Sequence, residues 1–127
     1  KFDLNAPVFY ADINVDLLVE LSKNEKTTIK LVPAYPAVRR DLALLIDDAV
    51  NYAQLEKIAV KTDSNLIKQV NVFDVYKGDK IESGKKSYAL SFMLQDENKT
   101  LTDEEIDSVM KKLIKNFEKE VGASLRA

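Results

Sequence analysis

The sequence predicts an α+β fold: one antiparallel sheet with two helices packed on a single face, plus an N-terminal arm. Three observations predict it. Apolar residues alternate through "RRDLALLID", residues 39–47, which is the period of a strand. Two long strand-like runs, "SNLIKQVNVFDVYKG" and "KKSYALSFMLQD", flank a loop with a glycine near each end, the pattern of a hairpin. From Thr102 onward a helix start signal precedes an apolar stripe of helical period.

The first strand is entered through Pro36, which fixes its own φ and pushes Tyr35 towards an extended conformation. Leu42, Leu44 and Ile46 then alternate with Ala43 and Leu45. Arg39, Arg40 and Asp41 put three charges where the chain enters the sheet. A solvated strand end accounts for them, and so does service to a ligand or partner; the pattern alone leaves both open. Asp47, Asp48 and Asn51 are turn or cap residues before "YAQLEKIAVKTD", where Tyr52, Leu55, Ile58 and Ala59 recur at helical spacing. After the hairpin, Thr102 and Glu105 form a T-x-x-E capping box, with Leu101 and Ile106 as its hydrophobic staple. Ile106, Val109, Met110, Leu113, Ile114, Phe117 and Val121 mark one apolar face of the second helix. Its acidic first turn and later lysines suit the helix dipole, and Gly122 suits the C′ position. "ASLRA" can add a short last strand.

The order β-α-β-β-α-β over residues 34–127 is the ferredoxin-like split βαβ sandwich, with both helices on one face of the sheet and the other face open. Residues 1–33 read differently. "PVFYADINV" is a plausible strand and "DLLVELSK" a short helix or turn; "KNEKTT" is a polar break before "IKLV" and "PAYP". This piece holds too few apolar residues for a core of its own. It is an arm packed on the main domain, or the tail of a preceding domain.

Composition narrows the function. The 127 residues, 46% hydrophobic and 31% charged, are ordinary for a globular domain. The first residue is Lys1, which reads as a piece of a longer protein. With no cysteine, neither disulfides nor thiolate metal sites are available, and with no histidine the commonest general base is missing. No apolar run is long enough to span a membrane. The net charge of -2 argues against strong non-specific nucleic-acid binding but leaves room for local recognition of a few nucleotides. "GDKIESGKKS" superficially resembles a phosphate-binding loop. Its spacing is one residue too long, lysine follows Lys85 where serine or threonine belongs, and a strand rather than a helix comes next. Lys77, Lys80, Lys85 and Lys86 make a locally basic hairpin tip, solvated or in reach of phosphates.

Strand parity assigns the open face. Tyr88, Leu90, Phe92 and Leu94 should meet the helices, leaving Ser87, Ala89, Ser91 and Met93 outward. Leu42, Leu44 and Ile46 go inward, leaving Asp41, Ala43 and Leu45 outward. Phe73 and Val75 are expected inward, with Asp74 and Tyr76 outward. Val70 and Val72 then share the parity of Asp74, which requires a bulge near Val72 or cover from the arm. The outer face holds small residues, Ala43, Ser87 and Ala89, beside one ring and one carboxylate. Tyr76 offers a stacking surface and Asp74 two acceptor oxygens, matching the two adjacent donors on a guanine's Watson–Crick edge. Ordinary exposed strand residues would give the same pattern. A ferredoxin-like regulatory domain binding a small molecule is an alternative, although no glycine-rich strand–helix turn supports it. A protein-interaction module with an apolar patch around Val70 and Val72 is another.

"YPAVRRDLALLI", "NVFDVYKGDKIESGKKSYALSF" and "KTLTDEEID" resemble the stretches "FPAVRRDLAL", "ELFDVYRG", "GKKSLAFRL" and "TLTDEE". Those are typical of the C-terminal anticodon-binding domain of the bacterial phenylalanine–tRNA ligase beta subunit. The resemblance covers residues 34–127, and "FDLNAPVFYADINVDLL" is similar to the end of the preceding domain. Departures are conservative: Tyr35 where phenylalanine is common, Lys77 where arginine is common. The resemblance implies a non-catalytic, ferredoxin-like domain that binds the anticodon of phenylalanine tRNA, above all its first base, a guanine. It implies Tyr76 as the stacking ring, Asp74 as the guanine-reading carboxylate, and Ser87 and Ala43 beside them. Arg39 and Arg40 become phosphate contacts or domain-orienting pairs. For the parent enzyme it implies ATP and magnesium, catalysis on a separate alpha subunit, a tetramer of two alpha and two beta chains, and a cytoplasmic location. It implies no cofactor and no metal in this piece.

Overall fold

The computed structural model describes residues 7–23 and 32–126. The chain divides into two units, Lys1–Val32 and Pro33–Ala127. In the first, "DLLVELSK" falls largely in a helix, α1 (Val15–Ser22), whose N-cap Asn14 accepts a hydrogen bond from the Leu17 N–H at 3.0 Å. The strand expected over "PVFYADINV" does not form. Residues 7–14 have no regular structure, and no described strand pairs with them. A strand without a partner leaves its backbone donors and acceptors unpaired, so β-forming residue types alone do not make one. Residues 24–31, which hold most of "KNEKTT" and "IKLV", lie outside the described residues.

The second unit runs β1 (Val38–Asp47), α2 (Tyr52–Thr62), β2 (Ile67–Tyr76), β3 (Lys85–Leu94), α3 (Asp103–Val121) and β4 (Ser124–Leu125). The sheet order is β2-β3-β1-β4, with every pairing antiparallel. This is the expected α+β sandwich. β4 is only two residues long, but its pairing continues one step further, where the Arg126 N–H donates to the Ala43 carbonyl at 2.9 Å.

Helix ends follow the sequence signals. Asn51 and Gln54 close a capping box on α2, and Thr102 and Glu105 close one on α3. Leu101 and Ile106, the staple, are both buried. Gly122 ends α3 with φ 63°, a left-handed conformation that glycine adopts without a Cβ penalty. There its N–H reaches the Glu118 carbonyl at 3.0 Å, and the Ala123 N–H reaches that of Phe117 at 3.2 Å. The core lies between sheet and helices. Leu44 and Ile46 of β1, Leu90, Phe92 and Leu94 of β3, Leu55 of α2, and Leu113 and Phe117 of α3 are all but inaccessible.

β2 departs from simple alternation. A bulge between Val72 and Asp74 resolves the parity conflict: Val70 pairs with Phe92, Val72 with Leu90, and Asp74 with Ala89. Val70 is therefore buried and Val72 packs against the core. Phe73 is the extra residue. It was expected inward, yet it is 54% exposed, with the Arg39 guanidinium 5.3 Å from its ring centroid. Arg39 pairs with Met93 on the side away from the helices, so the Phe73 ring belongs to the open face. One inserted residue resets the alternation of everything that follows it.

Candidate nucleic-acid interface

Two adjacent rows of the ladder build the centre of the open face. Asp74 pairs with Ala89, which pairs with Ala43; Tyr76 pairs with Ser87, which pairs with Leu45. The register thus brings Asp74, Tyr76, Ser87 and Ala43 together on one side of the sheet. The intervening residues Leu44, Ile46 and Leu90 occupy the core on the other side. Ala43, Ala89 and Ser87 have side chains too short to fill the space above the two central strands. They form a shallow floor with the carboxylate of Asp74 and the ring of Tyr76 at its β2 edge.

Arg126 supplies the opposite wall, a residue that pattern reading misses because "SLRA" is too short to set its own register. Its backbone is tied to Ala43, while its guanidinium lies 5.1 Å from the centroid of the Tyr76 ring. β3 and β1 stand between these two residues in the sheet, so the side chains lean across the floor and meet above it. A cation over a ring face is a weak attraction at an exposed site, about 0.5–1 kcal/mol, and a second flat group can compete for that face. Gly78, a loop glycine by its pattern, leaves the room that the Tyr76 ring occupies. A Cβ there would stand 2.8 Å from the Tyr76 hydroxyl oxygen and 3.0 Å from its Cζ.

The two arginines of "VRRD" part company. Arg39 lies on the open face, its Nε 2.9 Å from Asp41 Oδ1 and its Nη2 3.2 Å from Oδ2. Arg40 pairs with Phe92 on the helix side, where its guanidinium is 3.6 Å from the Asp103 carboxylate in the first turn of α3. The structure brings Arg39 to the candidate face and does not bring Arg40 there. The alternation of a strand makes neighbours in sequence face opposite ways.

The hairpin tip is tethered rather than loose. Lys77 bonds to the Asp48 carboxylate, Lys86 Nζ reaches the Asp48 carbonyl at 2.7 Å, and Lys85 pairs with Glu82 at 2.6 Å. The hydrogen bond from Lys77, helped by the charges of Lys77 and Lys86, holds the Asp48 carboxyl below the usual carboxylate range. Lys80 makes no ion pair among the described residues. A strand, β3, follows Gly84, as expected for a hairpin and not for a phosphate-binding loop. Among the described residues no group of three or more acidic side chains is placed to hold a metal ion. The open face therefore carries a ring, an exposed carboxylate and nearby cations over a floor of short side chains. That is suited to holding a planar heterocycle by its face and its edge.

A family model described as "Ferredoxin-fold anticodon binding domain" matches residues 33–126. The chain is 50% identical over 125 residues to a phenylalanine–tRNA ligase beta subunit of Bacteroides fragilis, covering 98% of this chain and 15% of that protein. It is likewise 50% identical over 125 residues to the namesake from Bacteroides thetaiotaomicron, with the same coverage of both chains. To that from Porphyromonas gingivalis it is 40% identical over 126 residues, 99% of this chain and 15% of the other. The chain spans about 15% of the length of these curated relatives.

Proposed function

The chain belongs to the ferredoxin-fold anticodon-binding domain family, a binding rather than a catalytic domain, and from that premise we propose that its open face reads the anticodon of phenylalanine tRNA. The first anticodon base, a guanine, stacks on Tyr76 and presents its Watson–Crick edge to Asp74. Ser87 and Ala43 lie beneath it and leave room for its plane. The observation that carries this reading is the register: the residues suited to grip a base by face and by edge stand in adjacent rows, over a floor of alanine and serine. Base–aromatic stacking is worth about 1–3 kcal/mol and tolerates any base, so Tyr76 supplies affinity. Selectivity falls to Asp74. An ionised carboxylate only accepts hydrogen bonds, and guanine offers it two donors where adenine turns an acceptor nitrogen towards it.

The names of the relatives extend the proposal to the whole protein: a phenylalanine–tRNA ligase, working with ATP and magnesium in the cytoplasm, with catalysis on an alpha subunit in a tetramer of two alpha and two beta chains. No step of that reaction is assigned to this chain.

The test is Asp74→Asn in the complete ligase, with tRNA carrying guanine or adenine at the first anticodon position. The substitution keeps the shape and exchanges one acceptor for a donor. Charging of the guanine form should fall, and the preference for guanine over adenine should shrink by about 1–3 kcal/mol. Amino-acid activation without tRNA should be unchanged. An unaltered guanine-to-adenine ratio would remove Asp74 from the reading.

A further inference from the structure

We propose that Phe73, with Arg39 above it, is a second base-stacking subsite on the same face, taking the nucleotide next in the strand to the one on Tyr76. This rests on the reading of the open face as an RNA-binding surface and extends it to a residue that parity counted from Asp74 sends into the core.

Three observations carry the inference. A phenylalanine ring within a ten-residue strand is left 54% exposed on the open face, the side that alternation from the inward Val70 and Val72 gives it. The bulge between Val72 and Asp74 turns Asp74 to that same face, so the ring and the carboxylate of the first site stand side by side. And the construction seen at Tyr76 recurs here. Each ring carries an arginine, Arg126 at 5.1 Å from the Tyr76 centroid and Arg39 at 5.3 Å from that of Phe73.

The chemistry is that of a sequence-tolerant platform. Phe73 has no polar atom, so it contributes a π-face and no edge readout. Arg39 is oriented by both oxygens of Asp41, at 2.9 and 3.2 Å. A base settling on the ring takes the face that the guanidinium now covers, and Arg39 then lies within reach of the strand's phosphates. Phe73 lies between two and three strand steps from Tyr76, because it is the extra residue of the bulge, so at about 3.3 Å per step their attachment points are separated by about 7–10 Å. Bases stacked on each other in a duplex step by only about 3.4 Å per strand. The two platforms therefore suit neighbouring bases splayed apart, the form in which single-stranded loops are read.

The experiment measures binding of the complete ligase to phenylalanine tRNA and to the same tRNA with an abasic nucleotide on one side or the other of the first anticodon position. Phe73→Ala should weaken binding of intact tRNA by about 5- to 150-fold, the range for losing one base–aromatic stack. Phe73→Leu, which keeps apolar bulk without a π-face, should lose most of the same factor. The abasic nucleotide at one of the two neighbouring positions should weaken the wild-type protein but add no further loss in Phe73→Ala, while still weakening Tyr76→Ala. Losses that simply multiply at both positions would overturn the subsite. So would unchanged RNA binding in Phe73→Ala, including the case where subunit assembly or thermal stability drops instead and marks the ring as a protein contact. Tyr76→Ala separates the two levels: if it too leaves binding intact, the reading of the whole face fails. If it alone weakens binding, only the second subsite fails.

Discussion

β3 shows two different surfaces on its two sides. Towards the helices it presents Leu90, Phe92 and Leu94, none of them accessible, with Phe92 set against Phe117 of α3 at 6.2 Å between ring centroids. Away from the helices it presents Ser87, Ala89, Ser91 and Met93. Ser87 and Ser91 are nearly as inaccessible as the core leucines, at 4% and 5% exposure, but for another reason. They are short, and larger neighbours on the flanking strands shade them. Burial on the helix side comes from close packing of large apolar side chains, and burial on the open side comes from longer neighbours lying across short ones. The first kind holds the fold together through apolar area and close packing. The second adds little to stability and leaves a floor that another molecule reaches when the covering side chains move aside. Substitutions on the two sides should therefore separate stability from binding.

The largest effect belongs to the helix side. Phe92→Ala removes the ring that links β3 to α3 and leaves a cavity, which should cost about 3–5 kcal/mol of unfolding free energy. Urea unfolding monitored by circular dichroism would measure it. A cost below about 1 kcal/mol would mean that the two sides do not differ in the way described.

The floor of the open side should answer in the opposite way. Ala43→Leu raises the floor between Ala89 and the Arg126 position without touching the core. Stability should change by no more than about 0.5 kcal/mol, as for most surface substitutions. Affinity for tRNA should fall about thirtyfold, or about 2 kcal/mol, because the plane of a base no longer fits. Equal damage to folding and binding would erase the contrast, and unchanged binding would place the RNA elsewhere.

The contrast also explains what could be read in advance. The helix side announces itself because large apolar residues repeat with a definite period: Leu42, Leu44 and Ile46, then Leu90, Phe92 and Leu94, and the stripe from Ile106 to Phe117. Caps at Asn51, Thr102 and Gly122 are equally visible, since each needs a specific side chain or its absence. Asp74, Tyr76, Ser87 and Ala43 fall on one face by parity, and the register agrees. Three features were not legible. A bulge near Val72 is foreseeable as one remedy for the valines, but whether it falls before or after Phe73 is not, and that position decides whether Phe73 shares the parity of Val72 or of Asp74. Arg126 follows a two-residue strand, too short for any period. "PVFYADINV" has the composition of a strand, but strand formation depends on a partner that composition does not reveal. In each case the outcome is decided by pairing between distant segments, and local pattern does not encode it.

The finest division between the two roles lies within one hairpin, in its two glycines. Gly84 has φ 86°, and its carbonyl accepts a hydrogen bond from the Asp48 N–H at 2.9 Å, tying the tip to the β1–α2 turn. No atom stands within 4 Å of where its Cβ would be, so the demand on this glycine is conformational. Gly84→Ala should cost about 1–2 kcal/mol of stability through the positive φ and leave the affinity of the folded protein for RNA nearly unchanged. Gly78 is the converse. Its φ is not positive, so alanine is tolerated by the backbone, but the new Cβ would meet the hydroxyl end of Tyr76 at 2.8 Å. The ring is the movable partner in that clash and must shift by a few tenths of an ångström. Gly78→Ala should leave the melting temperature within a degree or two while weakening tRNA binding about two- to fivefold, roughly 0.5–1 kcal/mol, less than removal of the ring. Combining it with Tyr76→Ala sharpens the claim. Once the ring is gone there is nothing for the Cβ to displace, so Gly78→Ala should then have no further effect on binding. A loss that persists in the double variant would show that Gly78 acts on RNA directly, through the loop, and not by seating the tyrosine.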